Sequence, residues 1–241
     1  VRREKQSLSA VHFVSGGKLD MQEGSEIKNL RNACAFNLDG TDADKGDIVI
    51  NGEITGIENN LGNTPSVRLG ASGEVVLGPE GRIADNECTF ISGIYARQGS
   101  TIHVYGEISG NNTTKERGGG IYLIEGSGKL SYGYIYDGAV IANNSSSETG
   151  GGIMVNNGAI LTMYGGEISG NHADIDGGGV EVRRDGVFIM NGGVIKDNTA
   201  AEYGNGICID ANTKPAQAGR FEFNGGEVKN NNIVIRSKGY G

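Results

Sequence analysis

The chain has 241 residues and a formal net charge of −8, and 43 of its residues are glycine while only three are proline. Glycine is far above its usual share of about 7%, yet the shortage of proline excludes a collagen-like chain or a disordered Pro/Gly linker. The acidic balance disfavours nucleic acid or an anionic membrane as the partner, because both are bound through clustered Lys and Arg. No apolar run approaches the roughly 20 residues of a membrane-spanning helix.

The chain is predicted to form one domain, 1–241, built from an internal repeat. Residues 1–9 are polar and predict an N-terminal cap, residues 10–235 carry the repeat, and residues 236–241 form a short C-terminal tail. The later repeats begin with Gly-Gly-Gly, or with Gly-Asn-Gly at 204–206, followed by alternating apolar residues, as at 150–155. A second apolar alternation follows, and the repeat ends with a segment such as Gly-Gly-Glu-Ile-Ser-Gly-Asn at 165–171.

One apolar residue of each pattern recurs about every 27 residues, which is the signature of a repeat architecture. The first column is Phe13, Leu38, Leu69, Ala96, Leu123, Val155, Val182 and Ile209. The second column is Met21, Ile50, Leu77, Val104, Tyr136, Met163, Met190 and Phe223. The third column is Ile27, Ile54, Ile83, Ile108, Ile141, Ile168, Ile195 and Val228. Three columns that share one period predict a stack of similar coils.

The alternation within each pattern has period two and ends at Gly, Asn or Asp, which predicts a short strand followed by a turn. Three short strands per coil, paired with the same strands of the next coil, predict an all-β fold. The fold is a right-handed, single-stranded parallel β-helix of about eight coils of about 27 residues. Asparagines that follow the third column are predicted to hydrogen-bond along the stack as an asparagine ladder. They are Asn86, Asn111, Asn144, Asn171, Asn198 and Asn231.

The three cysteines lack the spacing of a disulfide framework or of a metal site. By alternation, Cys34 is expected to point inward and Cys208 outward, while Cys88 has no partner at a regular spacing. Neither a disulfide scaffold nor a cysteine-bound metal is predicted.

The Gly-Gly-Gly-Ile and Gly-Gly-Glu-Ile-Ser-Gly-Asn repeats resemble those of bacterial cell-surface and adhesin-like β-helix proteins, including autotransporter-type passengers. The resemblance covers about residues 10–235, and it is specific for fold because many functions share such repeats. It implies an extracellular or cell-surface monomer, with its export signal and anchor outside this sequence. The implied partner is a protein or glycan of a host or neighbouring cell, with no membrane insertion. No catalytic residue carries over.

The alternative function is a polysaccharide lyase or glycoside hydrolase, because such enzymes use the same fold. Their chemistry needs facing carboxylates or an acidic calcium cluster. Only the third strand gathers outward carboxylates, and of these Glu26 and Glu53 are neighbours, with Lys28 close enough to offset their repulsion. The histidines fall in different coils or corners and form no metal-ligand set: His12, His103 and His172. A non-enzymatic binding or spacer module is therefore preferred, with no catalytic residue, metal or cofactor assigned.

The coils are not uniform, and insertions in a solenoid often mark its binding face. The connection between the first and second columns is expanded at 39–45, 124–131 and 210–218, all at one corner. We therefore predict a binding edge there, made of Asp39, Asp42, Asp44, Lys45, Glu125, Lys129, Tyr132, Asn212, Lys214 and Gln217. Tyr134 and Tyr136 are expected to point inward, which leaves Tyr132 as the exposed aromatic that could stack on a sugar.

Overall fold

The computed structural model describes residues 8–13, 17–38, 46–60, 64–70, 72–211 and 217–236. Its strands form four parallel sheets, in which each strand pairs with its counterparts in the coils before and after it. Residues 1–7 of the predicted cap and 237–241 of the predicted tail lie outside the described residues. The structure confirms a parallel β-helix of about eight turns.

Sheets A, B and C correspond to the three predicted patterns. Sheet A contains β1 (Leu8–Phe13), β4 (Ala33–Leu38), β8 (Val67–Leu69), β12 (Ile94–Arg97), β16 (Ile121–Ile124), β20 (Ile153–Asn156), β24 (Val180–Val182), β28 (Ile207–Asp210) and β31 (Ile233–Arg236). Sheet B contains β2 (Lys18–Met21), β5 (Asp47–Ile50), β9 (Glu74–Leu77), β13 (Thr101–Val104), β17 (Tyr132–Ile135), β21 (Ile160–Met163), β25 (Val187–Met190) and β29 (Arg220–Phe223). Sheet C contains β3 (Glu26–Lys28), β6 (Glu53–Thr55), β10 (Arg82–Ala84), β14 (Glu107–Ser109), β18 (Val140–Ala142), β22 (Glu167–Ser169), β26 (Val194–Lys196) and β30 (Glu227–Lys229).

A fourth sheet of two-residue strands was not predicted. Sheet D contains β7 (Glu58–Asn59), β11 (Glu87–Cys88), β15 (Asn112–Thr113), β19 (Ser145–Ser146), β23 (His172–Ala173) and β27 (Thr199–Ala200). It lies between the asparagine ladder and the glycine-rich turn that leads back to sheet A. Its strands are too short and too polar to show a period-two pattern in the sequence.

The core consists of the inward columns of the coils. Ile83 pairs with Ile54 on one side and Ile108 on the other, and all three side chains are fully buried. Each such side chain contributes about 1.5–3 kcal/mol through burial, so the stacked columns carry the stability of the fold. Cys34, Cys88 and Cys208 are buried, and none of the three forms a disulfide in the part of the chain that the structure describes.

The predicted register of the second column is wrong by one residue in the fifth coil. Ile135, not Tyr136, pairs with Val104 and with Met163 in the inward column. A one-residue shift turns every side chain to the opposite face, so Tyr134 points outward. The shift has two physical causes. An inward tyrosine would bury its hydroxyl among apolar side chains. The inward position of residue 133 is also too tight for a side chain and suits glycine, because a Cβ there would lie only 2.7 Å from Leu123 Cδ1.

The asparagine ladder is present and forms continuous hydrogen bonds along the rod. Asn144 Nδ2 donates to Asn171 Oδ1 at 3.0 Å and also to the Ile108 carbonyl at 2.9 Å. The Asn144 Oδ1 in turn accepts from Asn111 Nδ2 at 2.9 Å. Because these amides are buried, every one of them must find partners. Their role in the structure is therefore to close the corner between sheets C and D.

Candidate functional site

The predicted binding edge lies at the corner between sheets A and B, and the structure describes part of it. Six of its residues lie outside the described residues: Asp39, Asp42, Asp44, Lys45, Asn212 and Lys214. The described members are Glu125, Lys129, Tyr132 and Gln217. These four residues lie in the later coils.

The loop that follows β16 is a tight turn. Gly126 and Lys129 pair as an antiparallel bridge, and the Gly128 N–H donates to the Glu125 carboxylate at 2.6 Å. Ser127 adopts a φ of 56°, in the left-handed region that a turn of this type requires. Lys129 lies over Gly99 of the preceding coil, where a Cβ would be 3.4 Å from Lys129 Cβ. The loop is therefore an ordered part of the corner.

A groove of about 470 Å³ runs across this corner. It brings Glu125 and Gln217 together and leaves Lys129 and Tyr132 outside its lining. The lining residues are Glu125, Gly128, Leu130, Asn157, Gly158, Arg184, Asp185 and Gln217. The sequence did not single out Arg184 or Asp185, because they belong to a short turn between the expanded loops. Their positive φ angles, 47° and 61°, mark that turn.

Tyr132 belongs to a different surface, the outer face of sheet B. It is half-buried, and it pairs in register with Thr101 and Ile160. The next outward column on this face contains Val76, His103, Tyr134, Thr162 and Ile189. Most of these side chains are half-buried and uncharged. The outer face of sheet B is therefore largely apolar in its middle coils.

Five rings on this face form what we call the aromatic ladder: His103, Tyr105, Tyr134, Tyr136 and Tyr164. Tyr105 and Tyr136 stack with ring centroids 4.2 Å apart and planes 5° from parallel. Tyr136 and Tyr164 stack at 5.7 Å, and His103 and Tyr134 stack at 5.1 Å. The Tyr136 hydroxyl lies 2.9 Å from His103 Nδ1, which ties the two stacks together. The rings are therefore ordered before any partner arrives.

Two ladder tyrosines, Tyr134 and Tyr136, have raised pKa values and stay neutral at physiological pH. Burial, followed by the contact with Tyr105, raises the pKa of Tyr136 to about 12. Burial also raises the pKa of Tyr134. His103 Nε2 lies 3.7 Å from a carboxylate oxygen of Glu74, which borders the apolar part of the outer face of sheet B. The ladder can therefore offer hydroxyl donors and acceptors without presenting a charge.

The outer face of sheet C is charged, and its carboxylates have cationic partners. Lys28 forms an ion pair with Glu26, as predicted. Arg82 pairs with Glu53 and lies 3.4 Å from Glu107, while Lys196 lies 2.8 Å from Glu167. The hydrogen bond from Lys196, followed by that from Ser169, lowers the pKa of Glu167. The column behaves as a solvated, charge-paired face.

A third group of charges is buried on the outer face of sheet A. The Arg183 Nε lies 2.9 Å from Asp210 Oδ2, and Arg236 Nη2 lies 2.6 Å from Asp176 Oδ2. Glu181 is fully buried, and that burial raises its pKa to about 8. With Glu181 protonated, two arginines balance two aspartates. The cluster is therefore electrically balanced near neutral pH.

Glu181 alternates with the inward residues Val180 and Val182 and is therefore outward in the strand pattern, which does not show what covers it. A Cβ added to Gly177 would lie 2.8 Å from Glu181 Oε2, so the glycine-rich corner lies directly over this carboxyl. Cys208 is likewise outward, as predicted, and yet buried, beside Glu181. The carboxyls of Asp176, Glu181 and Asp210 are shielded from solvent and do not line an open cleft. A glycosidase site, in contrast, requires carboxyls that reach the substrate.

His103 and His172 lie on sheets B and D, and the His12 side chain is outside the described part of the structure. Among the residues that the structure describes, no three His, Cys, Asp or Glu side chains form a group that could hold a metal ion. Within the same residues, no helix is long and apolar enough to cross a membrane.

Comparison with protein-family models, curated proteins and solved structures finds no match to this chain.

Proposed function

We propose that this chain is a non-enzymatic, adhesin-like binding module that holds a macromolecular partner against the outer face of sheet B. The observation that carries the proposal is the aromatic ladder on a partly exposed sheet face that is uncharged in its middle coils. Contiguous apolar surface that remains accessible to solvent commonly marks a binding site. The outer face of sheet C is charge-paired and that of sheet A is partly covered, so sheet B offers the best surface of the three.

The ladder is well suited to binding because its rings are already fixed. Tyrosine presents a large apolar area and a polar hydroxyl, which is why it is enriched at interfaces. Stacking and the Tyr136 to His103 hydrogen bond remove most of the rotamer freedom that a partner would otherwise have to freeze. Binding to such a face loses less conformational entropy than binding to independent side chains.

The corner groove extends the same surface. Leu130, which is 39% exposed, lies in the groove, and Tyr132, two residues on, begins the outward row of sheet B. Arg184 and Asp185 provide a polar rim on the groove side. An apolar centre with a polar rim is the usual anatomy of an interface. The predicted edge thus becomes the border of the proposed surface and not its centre.

Extracellular or cell-surface location remains part of the proposal, and it rests on the resemblance of the repeats. The partner is a protein or a glycan, as the resemblance implies.

The experiment is a binding screen with a matched pair of variants. The probes are printed neutral and acidic oligosaccharides together with immobilised fibronectin, laminin and collagen. Tyr134→Thr combined with Ile189→Thr removes apolar area from the outer face of sheet B and keeps residues that favour strands. Glu167→Gln changes the outer face of sheet C and serves as the control.

We expect the wild-type chain to bind at least one probe, the double variant to lose at least tenfold in affinity, and Glu167→Gln to bind like the wild type. Equal binding by the double variant would place the partner elsewhere and contradict the proposal. Binding to none of the probes would also count against it.

A further inference from the structure

One row of residues lies at the turn from sheet B to sheet C, directly after the inward column. Its members in the later coils are Tyr105, Tyr136, Tyr164, Asn191 and Asn224. Backbone hydrogen bonds keep the row in register, since the N–H groups of Tyr164, Asn191 and Asn224 donate to carbonyls of the preceding coil. The row therefore changes from aromatic rings to carboxamides along the rod.

The stack of rings ends at Tyr164. One face of this ring is directed towards Tyr136, with their centroids 5.7 Å apart, and the residue in the next coil is Asn191. Tyr164 is 50% exposed, more than the other tyrosines of the ladder, which are only partly accessible. The next residue of the row, Asn191, has a shorter side chain than tyrosine and no ring, so the outer part of the Tyr164 ring stays accessible.

The carboxamides beyond Tyr164 are exposed and linked to each other. Asn224 Nδ2 donates to Asn191 Oδ1 at 3.0 Å, which fixes the orientation of the pair. An amide side chain has two donors and an acceptor oxygen with two lone pairs, so one shared hydrogen bond leaves much of this capacity available. The pair is thus a small planar array of donors and acceptors.

The residues that directly follow Asn191 and Asn224 are glycines. A Cβ on Gly192 would lie 2.3 Å from the Tyr164 carbonyl oxygen, and one on Gly225 would lie 2.6 Å from that of Asn191. Neither position can therefore carry a side chain without displacing the backbone of the preceding coil. The residues directly after Asn191 and Asn224 therefore add no side chain next to the ring and the amides.

We propose that Tyr164, Asn191 and Asn224 form a subsite for one neutral hexopyranose unit of a glycan. The C–H face of the sugar lies on the accessible outer part of the Tyr164 ring, because the ring face is electron-rich and attracts polarised C–H groups. Sugar hydroxyls exchange hydrogen bonds with the Asn191 and Asn224 amides. This inference rests on the proposed function and assigns it a ligand class.

Charge favours a neutral sugar over an acidic one. The row from Tyr105 to Asn224 carries no charged side chain, and the nearby Asp137 carboxylate comes within 1.7 Å of where a Cβ of Gly165 would be. A carboxylate beside the subsite repels uronic acids and sialic acids. It can still accept a hydrogen bond from a sugar hydroxyl.

The geometry also favours a sugar over a peptide. Peptides usually bind by adding a strand to a free sheet edge or by placing side chains in pockets. Tyr164 follows β21, which is paired on both sides by β17 and β25, so its backbone is not a free edge. An exposed ring with flanking amides suits a flat, hydroxyl-bearing ligand.

The test titrates cellohexaose, mannohexaose, xylohexaose and hexagalacturonate into the full chain by calorimetry. We expect the wild type to bind at least one of the two neutral hexose oligomers and not hexagalacturonate. Tyr164→Ala should weaken that binding at least tenfold, Tyr164→Phe should retain it, and combined Asn191→Ala and Asn224→Ala should weaken it at least fivefold. Tyr203→Ala is the matched control, because Tyr203 is 48% exposed on another corner.

The outcomes separate the subsite from the broader surface. If Tyr164→Ala binds like the wild type while Tyr134→Thr with Ile189→Thr loses binding, the subsite is wrong and the proposed function stands. Binding of immobilised protein alone, with no hexose oligomer bound, also overturns the subsite. Preferential binding of hexagalacturonate or xylohexaose overturns the assignment to neutral hexoses. Loss of binding in Tyr164→Ala, with unchanged thermal unfolding and retention in Tyr203→Ala, supports it.

Discussion

The outer faces of sheets B and C differ sharply although the two sheets are built alike. Each has eight parallel strands in continuous register, and each presents a column of buried aliphatic residues to the core. Outward, sheet C pairs Glu53 with Arg82 and Glu167 with Lys196, whereas sheet B presents Tyr134, Thr162 and Ile189. The inward columns alone satisfy the fold, so the apolar outer face of sheet B needs another explanation, and binding is the one we propose.

The outer face of sheet A is a third case. There the glycine-rich corner lies over Glu181 and Cys208 and buries them. This part of sheet A faces outward in the strand pattern, and it is nevertheless buried beneath the turns. The three faces show that alternation determines the direction of a side chain, while the turns determine its exposure.

The largest expected effect is the difference in stability between an inward and an outward substitution in the same strand of sheet C. Ile141→Lys places a charge in the middle of the core and should cost more than about 4 kcal/mol, which unfolds neighbouring coils. Val140→Lys lies on the outer face between Glu107 and Glu167, so it should be neutral or slightly stabilising. Urea unfolding followed by circular dichroism checks both. Similar losses in the two variants would contradict the assigned register.

The next effect concerns the covered face of sheet A and its dependence on pH. The pKa of Glu181 is raised from 4.5 to about 8 by burial, so the unfolded chain ionises first. The wild type should therefore lose stability as pH rises from about 4.5 to about 8, on the order of several kcal/mol. Arg183, Arg236, Asp176 and Cys208 surround this carboxyl and shape the transition.

Glu181→Gln should match the wild type near pH 4 and exceed it in stability at pH 9. Urea unfolding at pH 4, 7 and 9 under reducing conditions measures the difference. A difference that does not change with pH would show that Glu181 is not a buried, protonated acid.

A smaller effect tests whether the outer face of sheet B is dispensable for folding. Tyr134→Thr with Ile189→Thr removes half-buried apolar surface but no inward residue, so the free energy of unfolding should fall by no more than about 1.5 kcal/mol. Thermal unfolding gives the value. A loss as large as that of Ile141→Lys would mean that this face is part of the core.

The smallest effect belongs to the charged face of sheet C. Lys196 and Ser169 lower the pKa of Glu167, so the pair stabilises the fold above the pKa of the unfolded chain and loses this contribution as pH falls through the folded pKa. Because the pair is largely exposed, Glu167→Gln should cost at most about 0.5 kcal/mol at pH 7 and less than that at pH 3. Urea titrations at both pH values test the sign.

The sequence was sufficient for the fold because its three columns repeat across all coils. Columns such as Ile83, Ile108 and Ile141 have only one inward arrangement, and the asparagine ladder follows from their spacing. The register failed at β17, where Tyr132, Gly133, Tyr134, Ile135 and Tyr136 alternate acceptably in both registers. The neighbouring coils have Val104 and Met163, and no aromatic residue, in the inward column. This is the signal that favours Ile135 over Tyr136 at the inward position.

Because of this one-residue error in the predicted register of β17, the sequence analysis missed the candidate site. With Tyr134 and Tyr136 assigned to the core, the ladder could not be recognised, and the expanded loops became the preferred binding edge. The burial of Glu181 could not be predicted from the sequence for a different reason. It depends on how the corner at Gly177 packs over sheet A. Packing between turns and sheet faces has no periodic signal.

Hydroxyl-radical footprinting of the wild type, with and without the partner found in the screen, tests the central claim most directly. We predict that bound partner protects Tyr134 and Tyr164 on the outer face of sheet B, while Tyr203 is oxidised at the same rate in both samples. Protection of Tyr203 with unchanged oxidation of Tyr134 and Tyr164 would contradict a binding surface on sheet B.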